Sequence, residues 1–240
     1  MATSTLPSTN KLTGVLYPHA QWYFLLAMAT TWLGFSRTYF AVLASEPLLH
    51  HIHGALMGGW IALLIAQPLL YQRGHMKLHR TLGRWGGFAL MPAIVVCGFF
   101  MVRSMTRGTS LPPFIVDQLA FLDITSLLLF LSFVSLAIYY GRNLQLHARY
   151  IVCTVLLLMP PAITRALFFL PFMHGFQRNV NTSLILVDLV LLALIIDDGR
   201  RGKVRAAYPI ALVLFTLMSL ASNFTGRWPW WHSLLARIAA

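Results

Sequence analysis

Residues 51–70 read HIHGALMGGWIALLIAQPLL and contain no aspartate, glutamate, lysine or arginine. A helix needs about 20 mostly apolar residues to cross a hydrocarbon core of about 30 Å. Six further apolar stretches of similar length follow or precede this one, near residues 20–40, 84–102, 116–139, 147–170, 181–197 and 207–223. The sequence therefore predicts seven membrane-spanning helices.

The composition favours a single helical bundle in a membrane. The chain is 58% hydrophobic and only 10% charged, and its mean hydropathy is +0.71. Backbone groups in lipid must be hydrogen-bonded within the protein, which favours helices, and spans of this length do not fit barrel strands. We therefore predict an all-α polytopic bundle over residues 20–223, with a polar segment at 1–19 and an interfacial aromatic tail at 224–240.

The charge of the chain indicates its orientation. The net charge is +12, and the side that holds the N-terminus in a seven-span topology carries eleven of the lysines and arginines, against seven on the other side. The positive-inside rule then places the N-terminus in the cytoplasm and the C-terminus outside. We interpret the basic excess as membrane topology, with contact to anionic lipid at the cytoplasmic face, and not as a site for nucleic acid.

Two segments of the chain resemble each other. Residues 71–79 and 139–147 share Tyr, Leu and His at an offset of 68, and the same offset superposes Met91-Pro92 on Met159-Pro160. This pattern predicts a duplicated helical hairpin, formed by spans two and three and by spans four and five, with a proline kink in each copy. A chance match over so few positions is the alternative.

Ionisable residues recur at one depth, in the outer half of the predicted bundle. Charges inside a membrane are costly and mark functional sites by default. At 1.5 Å per residue, Asp123 lies about 10 Å below the outer surface, and Asp188 lies at a similar depth. We interpret four residues as an outer polar pocket: Arg37, Asp123, Arg165 and Asp188. Either this set is an ion-pair cluster that orders the bundle, or it binds a substrate or metal.

The first set of candidate metal or cofactor ligands opens the second span and comprises His50, His51 and His53. His53 shares a helical face with Met57 and Trp60. Imidazole and thioether groups suit copper or haem iron. Ordinary helix packing is the alternative explanation for this face.

The second set comprises His79 and His147, the two histidines of the repeat. They begin spans three and five at the same depth, which is the minimum requirement for a haem or a small metal site held by two imidazoles. Both lie in basic surroundings, so they are equally able to hold lipid phosphates at the interface. Haem and copper, zinc or iron are the cofactors that these histidines indicate.

Several short motifs together resemble a group of uncharacterised bacterial multi-pass membrane proteins, over nearly the whole chain. The motifs are Gly34-Phe35-x-x-Thr38-Tyr39-Phe40, His51-x-His53-Gly54 with Trp60 and Gln67, Leu78-His79-Arg80-x-Leu82-Gly83, Leu146-His147-x-Arg149, Pro160-x-x-x-x-Arg165 and Asp188 with Asp197. The resemblance implies a bacterial inner-membrane location. No established activity comes with that group, so it assigns no catalytic role.

Three functions remain open at this point. The leading hypothesis is a membrane protein that binds a metal or haem through its histidines and takes part in redox chemistry. The alternatives are a small-solute transporter, in which the outer pocket binds a solute, and an assembly factor without chemistry. The chain has no H-E-x-x-H, Walker, G-x-S-x-G or Rossmann motif. No lysine falls within a predicted span, which argues against a retinal Schiff base.

Overall fold

A computed structural model describes residues 17–108 and 111–240, so most of the predicted N-terminal segment lies outside the described residues. Within this part of the chain there are nine α-helices and no β-strand. The helices are α1 (Ala20–Phe35), α2 (Leu48–Gln72), α3 (Met76–Trp85), α4 (Met91–Arg107), α5 (Pro113–Tyr139), α6 (Leu144–Leu167), α7 (Phe176–Arg200), α8 (Ala207–Ser222) and α9 (Pro229–Ala239).

Five helical segments are long and apolar enough to cross a membrane. They are α2, the continuous segment Met76–Arg107 that contains α3 and α4, α5, α6 and α7. Large apolar side chains cover their outer surface, as Ile185, Leu189 and Leu192 do on α7. Such a surface is stable against lipid and unfavourable against water. The structure thus confirms an all-α bundle and supports a multi-pass membrane protein.

The first and the last of the seven predicted spans are shorter than a full membrane crossing. Helices α1 and α8 have 16 residues each, or about 24 Å at 1.5 Å per residue, which is shorter than the hydrocarbon core. The first apolar stretch does not continue as a helix to residue 40, because the chain turns after Phe35 and forms a 3₁₀ segment at Phe40–Ser45. Five spans, not seven, therefore satisfy the length criterion among the described residues.

Both short helices nevertheless run from one end of the bundle to the other. The Gln72 side chain, at the end of α2, donates to the carbonyl oxygen of Pro18 (3.0 Å), which precedes α1. The Asn223 side chain, just after α8, accepts from Gln177 (3.2 Å) near the start of α7. Helices α1 and α2, and likewise α7 and α8, are therefore antiparallel neighbours whose ends lie level.

The core is centred on Trp60 of α2, whose side chain is 2% exposed. Its Nε1 donates to Oγ1 of Thr154 on α6 (3.2 Å), and its ring meets the edge of Phe130 on α5, with ring centroids 4.9 Å apart. This contact joins three helices and satisfies the indole N–H inside the protein. The α2 face that contains His53 and Trp60 is therefore the face packed against the bundle.

The two predicted proline interruptions differ in the structure. A π-helical turn at Gly86–Leu90 immediately precedes Pro92, which lies in the first turn of α4. A wider turn accommodates a residue that lacks an N–H. Pro160 and Pro161 instead lie inside α6, which continues without interruption from Leu144 to Leu167. The hairpins share their order of elements, but the duplication itself stays a prediction.

The aromatic tail folds back onto the bundle. Trp231 of α9 is 2% exposed, and its Nε1 donates to the carbonyl oxygen of Asp117 on α5 (3.1 Å). Leu235 packs with Val102 of α4 and Ala120 of α5. The tail is therefore a helix held at the α4–α5 end of the bundle, and its interfacial position in the membrane stays a prediction.

Candidate functional site

Asp123 and Arg165 come together across the α5–α6 interface. Each side chain lies within electrostatic range of the other, yet none of the ion pairs between described residues joins them directly. No described residue donates a hydrogen bond to the Asp123 carboxylate. Asp123 is partly buried, so its carboxylate lies within the bundle without a direct partner among the described residues.

His53 of α2 is a third ionisable group near Arg165. The charge of Arg165 acts on its ring, and its Nδ1 atom is buried without a hydrogen-bond partner. Buried polar atoms are hydrogen-bonded in the great majority of proteins, so an unpaired one needs an explanation. A carboxylate and an imidazole from two other helices thus lie within electrostatic range of the Arg165 guanidinium, and the described residues leave each of the three groups incompletely paired.

Arg37 lies close to Arg165, where the ends of α1 and α6 meet. Its guanidinium stacks on Phe169, with Cζ 4.2 Å from the ring centroid, and the Arg165 guanidinium stacks on Phe35 at 4.6 Å. Each arginine therefore packs on an aromatic ring of the opposite segment, an attraction of about 0.5–2 kcal/mol depending on exposure. These contacts hold the end of α1 against the end of α6. Arg37 itself is exposed.

Asp188 has a different neighbour. Its Oδ2 accepts a hydrogen bond from Oγ1 of Thr216 on α8 (2.9 Å). The carboxylate is thus held at the α7–α8 interface by a single hydroxyl. Among the four residues predicted to form an outer pocket, Asp123 and Arg165 interact with each other and Arg37 lies beside them, whereas Asp188 joins a separate pair of helices.

The three histidines at the start of α2 do not converge on one point. His50 pairs with Glu46, which lies just before α2, and Nδ1 of His51 lies 2.7 Å from the Tyr39 hydroxyl. Only His53 has an unpaired ring nitrogen buried in the protein. Among the described residues, no group of three or more His, Cys, Asp or Glu side chains is arranged to hold a metal ion.

His79 and His147 occupy equivalent positions in the two hairpins. Nδ1 of His79 lies 3.3 Å from the carbonyl oxygen of Gln67 on α2, and Nδ1 of His147 lies 2.8 Å from that of Ala137 on α5. A carbonyl oxygen only accepts, so the proton of each neutral ring is assigned to Nδ1. The Nε2 atom of each ring then has a lone pair that is free to accept a hydrogen bond or bind a metal. The two rings also lie within electrostatic range of each other.

The most deeply buried charged pair is one that the sequence analysis missed. Arg149 of α6 and Asp198 of α7 have side chains 3% and 0% exposed. Arg149 Nε donates to Asp198 Oδ2 (2.7 Å) and Nη2 donates to Oδ1 (2.5 Å). This two-bond contact is the strongest geometry available to an arginine and a carboxylate. It lies at the end of the bundle opposite Asp123.

Two tyrosines complete the surroundings of this pair. The Tyr208 hydroxyl donates to the Tyr17 hydroxyl (3.0 Å), and the Tyr17 hydroxyl donates to Asp198 Oδ1 (3.5 Å). Burial raises the pKa of Tyr17, so this phenol stays protonated at neutral pH and remains a donor. The sequence contained one signal for this pair, because Arg149 falls inside the predicted span 147–170, where a charge is costly.

No protein-family model, no curated protein and no solved structure shows significant similarity to this chain. The structure itself therefore defines the class, which is an all-α bundle that supports a multi-pass membrane protein.

Proposed function

We propose that this protein is a membrane carrier that binds a small polar solute between Asp123, Arg165 and His53. The observation that carries the proposal is the incomplete pairing of these groups within the bundle. In a purely structural cluster, the Asp123 carboxylate and the Arg165 guanidinium would be in direct contact, as the side chains of Asp198 and Arg149 are. A bound polar molecule would supply the missing partners and offset the cost of placing charges at this depth.

The chemistry of the three groups selects the solute class. A guanidinium favours a carboxylate or phosphate through paired N–H donors, and an aspartate favours an ammonium or another strong donor. A small zwitterion with both groups fits the site, and the His53 ring offers one further polar contact. Helix α6 carries Pro160 and Pro161 one turn before Arg165, so two backbone hydrogen bonds are missing beside the site. This local weakness suits a helix that moves during transport.

We expect small zwitterions to raise the thermal unfolding midpoint of the purified protein in mild detergent. A ligand at 100 times its Kd stabilises by about 2.7 kcal/mol. Asp123→Asn and Arg165→Gln should each remove this stabilisation, because each deletes the partner of one end of the solute. The measurement is a thermal unfolding series with zwitterionic amino acids, with amines alone and with carboxylates alone.

Asp188→Asn is the matched control, since Asp188 is also a carboxylate within the apolar helices but bonds Thr216. It should keep the stabilisation by zwitterions. Uptake by proteoliposomes then separates a carrier from a protein that only binds. If no solute shifts the midpoint and Asp123→Asn and Arg165→Gln leave stability and phenotype unchanged, the proposal fails and the assembly-factor alternative gains support.

We further propose seven membrane crossings in a bacterial inner membrane, with the N-terminus in the cytoplasm. The level ends of α1 and α8 with their neighbours support crossings by these short helices. The excess of lysine and arginine on the side that holds α3 supports the orientation. Reporter fusions at Arg142 and at His174, which lie at opposite ends of α6, should give opposite topological signals.

A second candidate function is favoured by His79 and His147. A ligating histidine usually donates its other ring N–H to a carbonyl or carboxylate, which orients the ring and increases its basicity. Both rings make this contact to a backbone carbonyl of the preceding helix. They would hold haem iron or another metal through Nε2, and the group would supply redox chemistry at that end of the bundle.

We expect, under this second candidate, a visible absorption band or a stoichiometric metal in the purified protein, lost in both His79→Ala and His147→Ala. His75→Ala is the matched control, because His75 lies on the same turn, is exposed and makes no side-chain hydrogen bond. A colourless, metal-free protein after expression with ample haem and metals contradicts this candidate. It leaves the solute proposal untouched, since the two sites lie at opposite ends of the bundle.

A further inference from the structure

Helix α3 is a short amphipathic helix at the end of the bundle opposite Asp123. Its sequence, MKLHRTLGRW, alternates basic residues with Leu78, Leu82 and Trp85. Trp85 is 67% exposed and Leu78 is 48% exposed. Basic amphipathic helices with exposed tryptophan and leucine bind at the boundary between lipid headgroups and acyl chains. This helix therefore lies at headgroup depth, where it continues directly into the membrane-crossing part of the segment.

An open apolar groove of about 530 Å³ runs along the bundle from this helix. Small side chains form much of its lining: Gly59, Ala62, Ala66, Gly86, Ala89 and Ala93. On α2 the lining extends from residue 56 to residue 66, which is about 15 Å at 1.5 Å per residue. This length matches half of a hydrocarbon core of about 30 Å. The groove thus extends over about one leaflet.

Helix α2 and the π-helical turn meet along one wall of the groove. A Cβ atom at Gly86 would overlap the Leu63 side chain, so α2 and the π-helical turn are already in close contact there. The missing side chains leave a shallow channel at the surface. An acyl chain fills a channel of this shape through dispersion contacts, which grow with the number of atoms in contact.

A second cavity of about 450 Å³ adjoins the groove and shares Trp85 and Ala89 with it. It adds Thr81 and Arg84 to the lining. The Arg84 guanidinium forms no ion pair with any described residue. A cation and a hydroxyl therefore stand at the headgroup end of an apolar channel, which is complementary to an anionic headgroup attached to an acyl chain.

We propose that this composite surface is a binding site for one anionic phospholipid of the leaflet that α3 faces. One acyl chain lies in the groove between α2 and the Met76–Arg107 segment. The phosphate lies against Arg84 and the Thr81 hydroxyl. A free phosphate ion would bind only in the second cavity. A neutral phospholipid would bind in the groove but would bring no net negative charge to Arg84. The contributions of the groove and of the second cavity can therefore be tested separately.

The test is native mass spectrometry of the purified protein in mild detergent, titrated with dioleoyl phosphatidylglycerol, dioleoyl phosphatidylcholine or inorganic phosphate. Phosphatidylglycerol should bind most tightly. Arg84→Gln should weaken its binding about fivefold, which corresponds to one arginine at an anionic lipid headgroup. Arg142→Gln is the matched control, because Arg142 is an exposed arginine between α5 and α6 that lines neither the groove nor the second cavity, and its replacement should leave the affinity unchanged.

Ala89→Phe fills the groove from an exposed position, so it should fold and should weaken both phospholipids. Equal losses in Arg84→Gln and Arg142→Gln would show attraction by overall charge only and overturn the proposal. Inorganic phosphate that binds as tightly as phosphatidylglycerol would also overturn it, since the groove would then contribute nothing. The solute site between Asp123 and Arg165 does not enter any of these outcomes.

Discussion

Asp198→Ala is expected to lower the free energy of unfolding by about 3–5 kcal/mol, because it leaves the Arg149 guanidinium buried without its carboxylate. The pair is 3% and 0% exposed, and the two direct bonds measure 2.7 Å and 2.5 Å. Gln145 also accepts from Arg149 (2.7 Å) but carries no charge to neutralise it. Unfolding in mild detergent, followed by near-UV circular dichroism, measures the loss.

The adjacent residue supplies a matched control. Asp197 pairs with Arg201 four residues later, and these side chains are 39% and 56% exposed. An exposed helical pair of this kind contributes about 0.3–0.5 kcal/mol. Asp197→Ala should therefore be nearly neutral. Similar losses of unfolding free energy in Asp197→Ala and Asp198→Ala would contradict a particular contribution from the buried Arg149–Asp198 pair.

A double substitution separates the ion pair from general packing. Arg149→Met combined with Asp198→Leu removes both charges and keeps apolar volume, and such replacements are often neutral or stabilising. The double variant should recover most of the stability lost in Asp198→Ala. If it is as unstable as the single variant, the loss arises from packing and hydrogen bonds to the tyrosines rather than from an unpaired charge.

Gly34→Ala is expected to destabilise the bundle by about 1–3 kcal/mol through overpacking. A Cβ at this position would overlap the carbonyl oxygen of Ala162 on α6. That oxygen belongs to the helix backbone and cannot turn away as a flexible side chain does. Helix α1 must then move away from α6, which also separates Phe35 from Arg165. The unfolding midpoint and the fraction of monodisperse protein in detergent measure the effect.

Gly58→Ala is the control for this second prediction. No atom lies within 4 Å of a Cβ built at Gly58, and alanine is favoured over glycine in a helix interior by about 1 kcal/mol. The variant should be as stable as the natural chain or more stable. A loss of stability at Gly58 equal to that at Gly34 would contradict the explanation from helix contact.

Much of the helical architecture could be predicted from apolar length alone. The stretch predicted at 51–70 is the helix Leu48–Gln72, and the stretch predicted at 116–139 lies within Pro113–Tyr139. The first stretch, predicted at 20–40, was too long, because apolar composition does not show that the chain turns after Phe35, whereas the last, predicted at 207–223, agrees with Ala207–Ser222. Local geometry decides where such a helix ends, and a hydropathy window averages over it.

The candidate site could be predicted only in part. Depth along the helices selected the ionisable residues of the candidate site, but depth does not give rotation about the helix axis. Asp123 and Arg165 interact with each other, whereas Asp188 bonds Thr216. The sequence contains no information that separates these two aspartates, since both lie at similar depth in apolar helices.

The sequence by itself determined that the chain is all-helical and which of its segments are apolar enough to lie in a membrane, because both properties depend on residues close together along the chain. Only the tertiary structure decided how the charges are paired. Arg149 meets Asp198 across 49 positions of sequence, and Thr216 meets Asp188 across 28. Such contacts depend on which face each helix turns toward its neighbours, and that rotation is set by packing throughout the bundle.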